Sequence, residues 1–196
     1  SRGNADGDHP YTQLDGDDIL SDVLVGRISV GSATQLATFW SKIENYEKTP
    51  YMDRLDWYEH TVLVGDRTSG FNNSGVSAFF TSRYIKEVME RYNPEYNFTE
   101  IYYPNFVSQM QSALNQGAAF FSFRGMENMA GWSSPTDSQV YNDFMLTNMN
   151  ILTCRTLDFQ GGKQVGRFFR MGTPSQPKGA VTSIGNSWVS DTAFNN

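Results

Sequence analysis

The sequence contains one cysteine, Cys154, and two histidines, His9 and His60. A single cysteine excludes an internal disulfide, so cysteine usage gives no redox indication of compartment. Two histidines leave little choice of general base for a thiol nucleophile. No apolar run reaches the length of a membrane-spanning helix. Lysine is sparse and no basic stripe occurs. With a net charge of −6, the chain is not built for sequence-independent nucleic-acid binding. There is no internal repeat and no low-complexity tract. The chain opens on Ser1-Arg2-Gly3-Asn4 without an initiator methionine, so the expectation is a processed or partial segment.

What remains is core-forming material. Hydrophobic residues make up 39% against 18% charged, which suits one packed domain and argues against disorder. The richness in Asn, Gly, Ser, Tyr and Trp points to a secreted or cell-surface protein. Residues 1–22 read as an acidic opening loop, and 23–196 as the core.

Apolar runs alternate with stretches of helical period. Strands are expected over Asp22–Val30, His60–Asp66, Thr99–Tyr103, Gly117–Phe123, Ile151–Cys154 and Gly179–Ile184. Helices are expected over Ala33–Tyr46, Val76–Tyr92, Asn105–Asn115 and Gly162–Met171. The first helix would bury Leu36, Phe39, Trp40, Ile43 and Tyr46, the second Phe79, Phe80, Tyr84, Val88 and Met89. The strands read as continuous apolar runs, which predicts burial on both faces. The fold expected is an α/β sandwich with a mostly parallel sheet, its chemistry at the C-terminal strand ends. Those ends are Asp66, Phe123–Gly131, Cys154–Phe159 and Asn186–Trp188. His60 starts its strand and so belongs on the rim opposite Cys154.

Four segments carry a resemblance. His9 with Asp15-Gly16-Asp17-Asp18 precedes Val25-Gly26-Arg27-Ile28. Phe123-Arg124-Gly125 is followed by Gly131-Trp132, and Thr153-Cys154 by Asp158-Phe159. Gly166 to Gly172, Pro174, Pro177-Lys178-Gly179-Ala180 and Ile184-Gly185 follow in order. In order and spacing the chain resembles the gingipain family of cysteine peptidases, over most of its length. The resemblance implies a caspase-like three-layer α/β/α sandwich, with residues 1–196 as its catalytic subdomain. It also implies that the upstream half of the family's α/β region lies outside this chain.

In the resemblance Cys154 takes the nucleophile position, and Met126 stands where the family carries its general-base histidine. A thioether has no titratable proton and cannot do that work. Asp66 takes the position of an acid that orients the histidine. Backbone groups near Gly125, Glu127 and Cys154 would form the oxyanion pocket, with Trp132 and Trp188 as walls. Gly75-Val76-Ser77-Ala78 holds no acid where basic-residue specificity would need one. Calcium is the one cofactor implied, structurally and without being required, at Asp15, Asp17 and Asp18. Met126, Met129, Met145, Met149 and Met171 read as core filler rather than a soft-metal site.

The implied function is a degenerate peptidase homologue with a residual binding or structural role at the cell surface or outside the cell. Its partner would be a peptide or protein ligand, the missing half of its own fold, or a larger surface assembly. Tyr11, Phe71, Tyr102 and Tyr103 are candidates for such an interface. One alternative is an active endopeptidase using Cys154 with a base from an unseen segment. A third is an esterase-like or acyl-transfer use of the thiol.

Overall fold

Parallel strands cannot be joined by tight turns, so each pairing needs a crossover, and here helices supply most of them. The computed structural model describes residues 7–65, 78–125, 127–157 and 164–187, the side chain of Glu127 excepted. Five strands form one sheet: β1 (His60–Gly65), β2 (Asn97–Ile101), β3 (Phe120–Arg124), β4 (Thr147–Leu152) and β5 (Ala180–Gly185). Their order is β2-β1-β3-β4-β5, and all four pairings are parallel. The helices are α1 (Ala33–Glu47), α2 (Ala78–Tyr92), α3 (Phe106–Gln116), the short α4 (Ser134–Asp137) and α5 (Gln164–Arg170).

The sheet has two different faces. Val62, Val64, Phe121, Phe123, Met149 and Ile151 point to one, where they meet Met110 and Leu114 of α3 and Val165 and Phe168 of α5 in the main core. The alternate residues point to the other face, beneath α2. Only β1 is buried along nearly its whole length; β4 alternates strictly between buried and half-buried residues. Burial of every strand on both faces therefore does not hold. Asn148 and Asn150 interrupt the apolar run of β4, so this strand starts four residues earlier than Ile151, where the pattern placed it.

Two helical stripes also differ. In α1 the buried residues are Thr38, Phe39 and Lys42, while Leu36 and Trp40 are exposed. Ser32 caps this helix, accepting from the Gln35 N–H at 3.2 Å. In α2 the buried residues are Ala78 and Ser82, while Phe80 and Tyr84 are exposed. The buried edge is set by where α2 touches β1. A Cβ added at Gly65 would lie 2.7 Å from the Ala78 carbonyl oxygen and 2.9 Å from Ser82 Oγ. Gly65→Ala is accordingly expected to cost about 1–3 kcal/mol through overpacking, read as a lower urea midpoint with an unchanged m-value.

The strand expected over Asp22–Val30 does not form. This segment is extended but in no sheet, and Val23, Leu24, Val25 and Ile28 are exposed. An apolar run becomes a strand only when a neighbour satisfies its backbone, and none of the described strands pairs with it. It is held instead by the Asp22 and Val23 N–H groups on the Thr12 carbonyl, at 2.8 and 3.4 Å. Arg27 pairs with Asp8, and Arg170 Nη1 donates to the Ser29 carbonyl at 3.1 Å.

Candidate active site

Cys154 lies two residues past the end of β4, in a turn, as a half-buried thiol in no disulfide. The turn is pinned on several sides. Thr153 Oγ1 donates to the Gly125 carbonyl at 2.7 Å, tying the tips of β4 and β3 together. Thr156 Oγ1 donates back to Ile151 and Thr153, at 3.0 and 3.2 Å. The Leu157 N–H reaches the Asn186 carbonyl at 3.0 Å, and the Val165 N–H reaches that of Thr156 at 3.1 Å. Arg155, directly after the thiol, takes a positive φ of 54°, a conformation that costs a non-glycine residue about 1–2 kcal/mol.

The residue that sequence reading missed is Arg124. It ends β3 in register with Gly65 on one side and Leu152 on the other. It is only 3% exposed, and its Nη1 donates to the Leu152 carbonyl at 3.1 Å. Burial lowers its pKa, and the charge of Cys154 acts the other way. The available signal was a charged residue closing an apolar strand just before a glycine.

Beyond Gly125, which is buried, the backbone makes a left-handed turn over Glu127–Gly131. Asn128, Met129 and Ala130 have φ of 62°, 48° and 55°. Strain of this kind survives only where the surroundings impose it. Here Met129 and Trp132 are anchored in the main core, and the Trp132 N–H returns to the Asn128 carbonyl at 3.0 Å. Trp132 is thus a core residue, its ring 5.2 Å from that of Phe168 and tilted by 47°. Its indole Nε1 donates to Asp137 Oδ1 at 2.7 Å, and Arg167 Nε lies 2.8 Å from Asp137 Oδ2. Burial raises the pKa of Asp137, while Trp132 and Arg167 hold it back. Removing that carboxylate strands both partners. Asp137→Ala is expected to destabilise by about 2–4 kcal/mol, measured by thermal unfolding, and to loosen the left-handed turn.

His60 lies at the opposite end of the sheet. It precedes Thr61, which is in register with Phe120 and through it with Asn148. Most of the length of β4, roughly 13 Å at strand rise, separates that level from the tip that leads to Cys154. Both of its ring nitrogens are occupied, Nδ1 by the Gly117 carbonyl at 2.5 Å and Nε2 by Thr99 Oγ1 at 2.8 Å. His9 sits exposed in a short 3-10 turn, where its carbonyl accepts from Thr12 Oγ1 at 2.7 Å. Met126, Asp66, Trp188, Asp158, Phe159, Phe71 and residues 75–77 lie outside the described residues.

Asp15, Asp17 and Asp18 are exposed, and Asp18 Oδ1 already accepts from the Leu20 N–H at 2.8 Å. Asp22 holds the same loop through the N–H groups of Leu14 and Asp15, at 2.6 and 3.0 Å. Among the described residues no three His, Cys, Asp or Glu side chains converge as a metal site. Among the same residues no helix is long and apolar enough to cross a membrane. Met129, Met145, Met149 and Met171 are buried core residues.

An open parallel sheet with a thiol just past β4, beside the glycine that follows β3, has the architecture of the caspase-like cysteine peptidases, a likeness of fold and not of activity. The family model described as peptidase family C25 matches residues 4–196, and the chain belongs to that family, the gingipains. No curated protein matches it. Among solved structures it is similar to the Arg-specific cysteine proteinase gingipain R (RGPB), with a TM-score of 0.78 and 21% identity over 90% of this chain and 43% of that one. A complex of Porphyromonas gingivalis RgpB pro- and mature domains gives a TM-score of 0.80 and 20% identity over 96% of this chain and 46% of that one. A structure described only as a protease gives a TM-score of 0.70 and 25% identity over 93% of this chain and 40% of that one. The chain thus spans under half the length of each of these proteins.

Proposed function

We propose that this domain is a catalytically degenerate member of its family that binds a peptide or protein segment rather than cleaving it, outside the cell or at its surface. The observation that carries this reading is the position of His60, at the far rim with both ring nitrogens engaged. With Met126 at the general-base position, neither His60 nor Met126 offers Cys154 a proton acceptor. Backbone groups around Gly125 and Cys154 do not depend on the lost histidine and can still receive a carbonyl. An exposed apolar run, including Leu14, Ile19, Leu20 and Leu24, supports a protein partner, such as the rest of its own fold. That the RgpB mature domain forms a complex with its pro-domain is in keeping with this.

A second reading is an active thiol enzyme with a base from a segment outside this chain. Arg124, buried at the end of β3 and bonded to the Leu152 carbonyl, sets a fixed cation near the turn that carries Cys154, which favours it. Incubation with a fluorogenic peptide library separates the two. The expected result is equal background turnover for wild type and Cys154→Ala. Cleavage by wild type that Cys154→Ala abolishes would overturn the degenerate reading.

A further inference from the structure

A cavity lies away from Cys154, under the C-terminal half of α2 and near the strand starts. We infer that it is a binding site for a small, neutral, flat aromatic molecule with a hydrogen-bonding group at each end. Its volume of about 520 Å³ falls within the roughly 300–1,000 Å³ typical of small-molecule sites. Val88 and Met89 wall it on the helix side, and Tyr96 and Phe120 at one end. The two rings meet edge to face, 6.4 Å apart at 81°. No charged side chain lines it, so a charged ligand would be desolvated without compensation.

Its floor carries two polar atoms without hydrogen-bond partners. Thr61 is 1% exposed, and its Oγ1 is buried and unbonded. Asn150 Oδ1 is buried and unbonded as well. Buried polar atoms of this kind are normally satisfied. Asn148, on the same floor, shows the contrast. Its amide donates to Tyr46 Oη at 3.0 Å and to the Ala119 carbonyl at 3.2 Å, and its Oδ1 accepts from Thr182 at 2.6 Å. Thr61 and Asn150 stand on strands two apart in the sheet, about 10 Å across. Asn150 Oδ1 requires a donor, whereas the Thr61 hydroxyl takes either role. A fused two-ring system with a hydroxyl at each end meets both and fills the apolar space between.

The test compares 2,6-dihydroxynaphthalene with 2,6-dimethylnaphthalene, titrated into the whole chain and followed by NMR. The diol is expected to bind at least about tenfold more tightly, the worth of one or two hydrogen bonds. Thr61→Val keeps the shape and removes one orphan. It is expected to raise the melting temperature of the free protein and to cut the advantage of the diol severalfold. Val88→Trp fills the cavity and is expected to abolish binding of both molecules. Failure of the diol to bind, equal binding of the two molecules, or a Thr61→Val protein that still prefers the diol as strongly would each overturn the inference.

Discussion

Met126→His is expected to raise Cys154-dependent peptide cleavage by about 10²–10⁴ over wild type, the usual worth of a positioned acid–base group. The chain leaves β3 through Gly125, whose carbonyl is one hydrogen bond from Thr153, the residue before the thiol. An imidazole entering immediately after Gly125 therefore starts next to the turn that carries Cys154. It would take the thiol proton and return it to the leaving amine, which a thioether cannot do. The gain should vanish in the Met126→His, Cys154→Ala double variant. Unchanged turnover in Met126→His would mean that the missing histidine is not what limits this domain.

The largest stability effect is expected at Lys42. This side chain is fully buried, and its Nζ donates to the carbonyls of Phe168, Phe169 and Ala180 at 3.0, 2.7 and 3.4 Å. The first two belong to the last turn of α5, where unpaired carbonyls carry partial negative charge. Lys42→Met keeps the volume and leaves all three carbonyls without this donor, at an expected cost of about 2–4 kcal/mol. Burial pushes the pKa of Lys42 down to about 7. Between that value and the ordinary one of 10.5 the unfolded chain holds a proton that the folded chain does not, so stability must rise with pH. From pH 7 to pH 9 the wild type is expected to gain about 2 kcal/mol, and Lys42→Met to lose that slope. Urea titrations at the two pH values measure both effects. A wild-type midpoint that stays level or falls over this range would contradict the argument.

The alternation of strands and helices was legible because an apolar run bounded by turn residues is a strong local signal, and four of the five described strands fall close to where that signal placed them, β4 starting four residues early. What was hidden lies where polar residues turn inward. Asn148 and Asn150 read as the end of a run, yet they occupy the cavity side of β4. Lys42 falls outside the apolar stripe expected for the first helix, yet it caps a helix from inside. Arg124 is the same case at the site: a charge closing a strand reads as a rim residue until the neighbouring strand end covers it. Conversely, Leu24 and Trp40 read as core because the pattern cannot tell which apolar face has something to pack against. Cys154 and Gly125 were legible through order and spacing with the family. The left-handed turn from Asn128 to Ala130 had no local signal, since no glycine among those three marks it.

The wholly parallel sheet also sets how this chain can reach its native state. None of the described strands meets its neighbour through a hairpin; the least separated pairing joins Phe120 to Asn148, and His60 must find Asn97. Loop closure comes before any such contact rewards it, so folding should be slow for the chain's size and populate collapsed species with open strand edges. Production is then governed by the lifetime of those species, and conditions that shorten it, such as dilution during refolding, should matter more to yield than native stability does.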